Sequence, residues 1–343
     1  MNKRVLIIGE YSAVGLAFLR GFNDYDNSII VDHITEGDSY KGLTKNKFLA
    51  KSRIFSFLYL IFQGILYSTK KYDYGLWLSP FVFKGPVLVI KIMNYLLTRA
   101  CKKNIVYNCT SDSVYWRNYN LNFNRKTLLG FLHDTDFIPH RNSKKAYYLY
   151  NLAFIKKMDH VFCASEEYQY PYNDICKSKI LRYPIMTNNL DSELEIKKIK
   201  HYHGISRPGF KGTKYILQLL KNNGISPYLT EKITYKEFVE NLKKTVVYYD
   251  QYHSIFPGIA SLLSLYYCPY VYSGIDRNLI SNKTYSLECP IIDLQDKFRV
   301  VDLNKGSDEL YKSQLYANRS FLKKYHSPKV IVNLMFKYIH ENN

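Results

Sequence analysis

Residues Ile199 to Asn222 read IKHYHGISRPGFKGTKYILQLLKN, and their order decides the fold. Ile199–His203 has the β-branched and aromatic content of a strand. Gly204, Pro208 and Gly209 then break the chain, and a helix is predicted over Thr213–Asn222 after Gly212. Such a strand–loop–helix junction turns backbone N–H groups and the positive end of a helix dipole toward an anion. Arg207 and Lys211 stand four residues apart on that loop. One offers a planar fork and the other a point charge, a pair suited to two adjacent phosphates. Read by spacing alone, the segment also fits an ordinary solvated loop, because it lacks the GxxxxGK[ST] pattern of a P-loop.

Outward from this unit the same alternation runs along the whole chain. Strands are predicted at Arg4–Gly9, Ser28–Asp32, Gly75–Ser79, Asn104–Cys109, Leu128–His133, His160–Ala164 and Lys179–Tyr183. Helical patterns such as Val87–Cys101 and Ser143–Met158 lie between them. After Ile199 come helix Tyr235–Lys243, strand Val246–Asp250, helix Gly258–Tyr266 and strand Tyr270–Ser273, with a last helix over Pro328–His340. Strands alternating with helices of this length imply parallel, doubly wound sheets. The polar run MTNNLDSELE suits a linker, so the boundary is placed near 185–196. The expected fold is α/β, with two Rossmann-like domains, 1–190 and 191–343, facing a cleft. The last helix is expected to pack back on the first domain.

The chain has 343 residues, and 48 Lys and Arg against 29 Asp and Glu give a net charge of +19. That excess calls for an anionic partner: nucleic acid, an acidic membrane or a phosphorylated substrate. Residues 1–185 hold 26 basic and 14 acidic side chains, so +12 of the charge falls in the first part. An AT-rich coding bias is the competing source of the many Lys, Asn, Ile and Tyr residues. The 6 cysteines form no CxxC and no zinc-finger spacing, as expected of buried thiols in a reducing compartment. Ile54–Leu66 (IFSFLYLIFQGIL) is too short to span a bilayer, which takes about 20 apolar residues. With Lys51, Arg53, Lys70 and Lys71 beside it, it reads either as a core helix or as an interfacial one lying on anionic headgroups.

HGISRPGFKGTKYIL resembles the start of the second domain in GT-B glycosyltransferases of the "group 1" type. The opening VLIIGEYSAVGLAFLRGF is similar to their first strand, loop and helix. VVYYDQYHSIFPGIASLLSLYYCPYV resembles their donor-site segment, and NRSFLKKYHSPKVIVNLM their C-terminal region. The resemblance implies a metal-independent glycosyltransferase without a cofactor, which takes a nucleotide-sugar donor and retains anomeric configuration. Arg207 and Lys211 match the pair that neutralises the departing diphosphate. Replacing either with Ala is therefore expected to abolish transfer and spare the fold. Gly9, Ser12 and Gly15 match the first-domain loop. His203, Gly204, Ser206, Gly212, Thr213, Asp250, Gln251, Pro257 and Gly258 match the donor side. One departure is clear: the family's two glutamates, eight residues apart, correspond to Ser254 and Leu262, with Glu288 a more distant substitute.

For the acceptor, strand ends in parallel sheets are where polar groups meet ligands. Asp112 after NIVYNC, and His133 with Asp134 after LLGFL, are the candidates for a base. Turn and cap chemistry is the alternative for both. No metal is expected: His201 and His203, two apart on a strand, face opposite ways. The expected partners are a nucleotide-sugar, a glycan or lipid-linked acceptor, and an anionic membrane surface met by the first domain at the cytoplasmic face. No nucleic-acid module appears, so nucleic acid is not expected. The competing reading is a non-catalytic GT-B homologue that binds a glycan or nucleotide.

Overall fold

In the computed structural model, residues 2–35, 53–78, 87–109, 145–186, 198–206, 208–295, 301, 303 and 307–341 are described. They fall into two compact units. The first takes residues up to 109, then 145–186 and 328–341, and the second takes 198–327.

Strands apolar on both faces require cover on both sides, and each unit supplies it with helices. In the first unit the order is β1 (Arg4–Ile8), α1 (Val14–Tyr25), β2 (Ile30–Ile34), α2 (Arg53–Ser68), β3 (Tyr72–Trp77), α3 (Val87–Ala100) and β4 (Cys101–Asn108). Then follow α4 (Lys145–Ile155), β5 (His160–Cys163), α5 (Glu166–Gln169) and β6 (Lys179–Ile180). The six strands are all parallel in the order β2-β1-β3-β4-β5-β6. Val5, Leu6, Ile7 and Ile8 of β1 are wholly buried at its centre. Trp77 is buried too, with its indole N–H donated to Asn104 Oδ1 at 3.1 Å.

The second unit runs β7 (Ile199–Ile205), α6 (Pro208–Lys211), α7 (Thr213–Asn222), β8 (Tyr228–Glu231), α8 (Tyr235–Lys243) and β9 (Thr245–Tyr249). It continues with α9 (Ile259–Tyr267), β10 (Tyr270–Ser273), α10 (Lys283–Glu288), β11 (Ile292–Asp293) and α11 (Asp308–His326). Its parallel sheet has the order β11-β10-β9-β7-β8. Thr234 begins α8 with a capping box closed by Glu237.

The final helix, α12 (Pro328–Glu341), belongs to the first unit and lies on α1. Phe336 meets Phe22 and Tyr74 at ring-centre distances of 5.9 and 5.3 Å. The helices approach so closely that a Cβ on Gly21 would sit 2.6 Å from the Pro328 carbonyl oxygen.

The fold is α/β with two doubly wound parallel sheets, as the alternation predicts. Element ends shift by a few residues, and β3 and β4 begin at Tyr72 and Cys101, three residues before their predicted starts. The strand expected at Leu128–His133 lies outside the described residues, as does most of the linker run. No helix among the described residues is long and apolar enough to cross a membrane.

Candidate functional site

In a doubly wound sheet the chain reverses its direction of travel across the sheet at one place, and loops part there to leave a crevice at the strands' C-terminal ends. In the second sheet that place is between β7 and β9, since β8 lies beyond β7 and β10 beyond β9. The loops after these two strands carry most of the residues singled out on the donor side.

After β7, Ser206 is exposed and Pro208 opens α6 at a position where its missing N–H costs nothing. The backbone then turns through Gly212 at φ +65°, in the left-handed region. A Cβ there would also lie 2.8 Å from Tyr252 Cβ, so glycine is required on two grounds. Tyr252 N–H donates to the Lys211 carbonyl at 2.9 Å, stitching the turn to the loop after β9.

That turn carries the Lys211 side chain inward. Lys211 is buried, and its Nζ lies 2.5 Å from Asp250 Oδ1 and 3.2 Å from the Tyr248 hydroxyl. Asp250 is completely buried at the end of β9, and its other oxygen accepts from Ser261 Oγ on α9 at 2.5 Å. Burial alone pushes this carboxyl's pKa up. The Lys211 charge and the hydrogen bonds from Lys211 and Ser261 outweigh that, and hold it below the ordinary carboxylate value. Burial first, and then the Asp250 charge, drive the Tyr248 phenol well above its usual range, so it stays protonated. A Lys211→Ala change would leave a buried carboxylate without its cation. The expectation that this substitution spares the fold is therefore corrected.

His203 is fully buried one strand away. Its Nδ1 faces the Tyr249 carbonyl oxygen at 2.9 Å, and a carbonyl only accepts, so Nδ1 carries the proton. Nε2 is then the acceptor for the Thr213 hydroxyl at 2.9 Å. Burial, the largest influence, lowers this histidine's pKa to about 4. The ring is neutral and has both nitrogens engaged within the protein. It ties β9 to the first residue of α7. His201 hydrogen-bonds the Tyr249 hydroxyl at 2.9 Å, and among the described residues no three His, Cys, Asp or Glu side chains converge as a metal would need.

The helix α9 starts at Gly258, after buried Pro257, with no side chain capping its first amides. The Gln251 amide lies over it, about one van der Waals contact away: a Cβ on Gly258 would be 3.5 Å from Oε1. That oxygen is buried and has no hydrogen-bond partner among the described residues. The uncapped helix start can donate its amides to phosphate oxygens, and the unpartnered amide oxygen beside it can accept from a sugar hydroxyl. Gly204, by contrast, lies within β7, where close packing against Tyr202 and Phe238 explains it.

Ser254 and Leu262, which stand where the resembled family has glutamates, are both buried. Ser254 Oγ donates to the Phe256 carbonyl, and neither position presents a carboxylate. Glu288 is taken up by Lys324 at 2.7 Å on an exposed face.

The loop after β1 turns through Gly9, Ser12 and Ala13, all at positive φ. Several of its amides are already served. The Glu10 carboxylate accepts from Tyr11, Gly15 and Leu16 N–H at 2.8, 3.1 and 3.0 Å, and so fills the anion seat at the start of α1. A Cβ on Gly15 would strike Glu10 Oε2 at 2.8 Å and His33 at 2.9 Å. Sequence reasoning missed Glu10, Tyr248 and Ser261; only Glu10, a carboxylate just before a helix, carried a readable signal. Arg207, Asp112, His133 and Asp134 lie outside the described residues.

Two solved structures share this architecture over almost the whole chain. Sucrose-phosphate synthase from Thermosynechococcus elongatus superposes with a TM-score of 0.55 at 9% identity, covering 99% of this chain and 98% of its own. An α-glucosyltransferase in complex with UDP and a 13-mer DNA containing a central A:G mismatch gives 0.52 at 12% identity, covering 98% and 99%. The fold is thus that of the two-domain GT-B glycosyltransferases. No family model matches the sequence, and no curated protein matches it.

Proposed function

We propose that this protein is a glycosyltransferase that moves a sugar from a nucleotide-diphosphate donor to a glycan acceptor. The observation that supports this most is the meeting, at the β7/β9 switch point, of the Gly212 turn, the Lys211–Asp250 pair and the uncapped Gly258 helix start. In the reaction the bond from the sugar's anomeric carbon to the diphosphate breaks, and a bond to an acceptor hydroxyl forms. The hydroxyl proton passes to a base, for which Asp112 or the His133–Asp134 pair are candidates. Negative charge grows on the leaving diphosphate, and fixed cations and helix amides stabilise it without a metal or other cofactor. In this reading Arg207 meets the phosphates directly. Lys211, held by Asp250, positions the Gly212 turn beneath them. Ser206, Thr213, Gln251 and Pro257–Gly258 line the donor's side, while Gly9, Ser12 and Gly15 shape a loop whose anion seat Glu10 fills.

The finer reading is a metal-independent, retaining enzyme of bacterial surface-polysaccharide synthesis, using a lipid-linked acceptor at the inner face of the plasma membrane. It rests on the sequence resemblance and on the basic first unit. The test is a thermal-shift panel of UDP-, GDP-, ADP- and CMP-sugars. A donor at about 100 times its Kd adds about 2.7 kcal/mol of stability, and Arg207→Ala should erase that shift. No shift from any donor would sink the assignment. Buried Ser254 and Leu262 favour one second reading, a GT-B homologue that binds nucleotide or glycan without turnover. Binding with no transfer to any glycan acceptor would select it.

A further inference from the structure

A helix that is apolar all round belongs in an interior, yet α2 has one side in water. Leu60 faces the core and is fully buried, whereas Leu58, Tyr59, Phe62, Ile65 and Leu66 share the opposite side and are exposed, Phe62 at 64%. These five positions fall within about a third of the helix circumference at 3.6 residues per turn. The neighbouring helix α3 packs against α2 and does the same with Leu88, Ile92 and Tyr95, Leu88 at 67%.

Neither helix contains an Asp or Glu. The cations at the margin sit on rings in place of carboxylates. Lys91 lies over Tyr150 at 5.9 Å, and Arg99 lies over Tyr95 at 5.6 Å while donating to its hydroxyl at 2.8 Å. Lys71, shortly after the end of α2, is exposed, while Lys70 and Lys102 are paired with Asp32 and Asp73. The helix ends also depend little on water. Ser68 and Thr69 hydroxyls donate to the Ile65 and Leu66 carbonyls at 2.8 Å, and Thr98 donates to the Tyr95 carbonyl at 2.9 Å.

We infer that the α2–α3 face docks on an anionic lipid bilayer, with α2 lying in the plane of the interface. Apolar and aromatic side chains enter the acyl boundary, and Lys71, Lys91 and Arg99 reach the headgroups along their own stems. A second copy of the chain is the poorer occupant, since a two-fold contact would set two helices without a carboxylate, and their Lys91 and Arg99, against their own copies. The purpose of the docking rests on the reading of a lipid-linked acceptor, but the surface stands on its own geometry.

The experiment is flotation of the full chain with vesicles of phosphatidylcholine alone, and of phosphatidylcholine with 30% phosphatidylglycerol (about a third anionic, enough for electrostatic binding). Wild type should float with the anionic vesicles, and less as salt rises. Phe62→Asp with Ile92→Asp should cut the bound fraction at least about tenfold, since each loses a buried apolar side chain. Lys91→Glu with Arg99→Glu should remove the preference for anionic lipid. Absence of flotation, or flotation unchanged by Phe62→Asp with Ile92→Asp, overturns the inference. So does a wild-type dimer in sedimentation velocity that the same pair dissolves. The donor thermal shift is measured on every variant. Flotation without any donor shift supports the surface while the transferase reading fails, and a donor shift without flotation overturns the surface alone.

Discussion

Lowering the pH from 7 to 5 should destabilise the second unit through His203. In the folded chain this ring is buried and neutral with its pKa near 4, while in the unfolded chain it returns to 6.5. The unfolded state therefore takes up a proton first as the pH falls. The contribution of His203 is complete above about pH 6.5 and is lost progressively as the pH drops toward 4. Integrated between pH 7 and pH 5, the two values give a loss of about 2 kcal/mol. The geometry supplies the reason: a second proton on Nε2 would oppose the Thr213 hydroxyl now donating to it. Urea unfolding at both pH values, followed by near-UV circular dichroism of the tyrosines, measures the loss in wild type and in His203→Gln. Glutamine offers one donor and one acceptor but no titration, so its curve should be flatter by the same 2 kcal/mol or so. Equal pH slopes in the two proteins would refute the buried neutral imidazole.

Two further outcomes concern packing and charge. Lys211→Met should cost about 3–5 kcal/mol, because Asp250 stays behind buried and unpaired. Lys211→Met with Asp250→Leu should cost much less than the two single changes summed, and additivity within about 0.5 kcal/mol in the double-mutant cycle would mean that the pair is not coupled. Gly21→Ala drives a methyl into the Pro328 carbonyl, and should lower stability by about 1–3 kcal/mol and expose the chain around Ser327 to protease; an unchanged melting temperature and digest would show that the α1–α12 contact is looser than described.

The doubly wound fold was legible in the sequence because buried parallel strands leave short, wholly apolar runs such as Val5–Ile8 and Val246–Tyr249. Helix α11 was not. Two of the five residues it buries are Asn318 and His326, which interrupt the apolar period. Asn318 is buried because its amide serves the Cys268 and Pro269 carbonyls at 3.0 Å, a long-range fact that spacing cannot carry. At the site, the Gly212 turn and the Gly258 helix start were readable from local chemistry. The inward direction of Lys211 was not, since it depends on Asp250, 39 residues on. The apolar girth of α2 was visible too, but not which side of it meets water.

The return of α12 has a consequence for the order of assembly. Phe22, Tyr74 and the Gly21 face of α1 are packed against residues from Pro328 onward, while the described residues of the second unit all fall between 198 and 327. The first unit is thus begun early and closed last, across a very large sequence separation. Contacts of that kind form slowly, since a long loop must be gathered before they reward it. While the first unit waits, its α1 face stays open and prone to unwanted association.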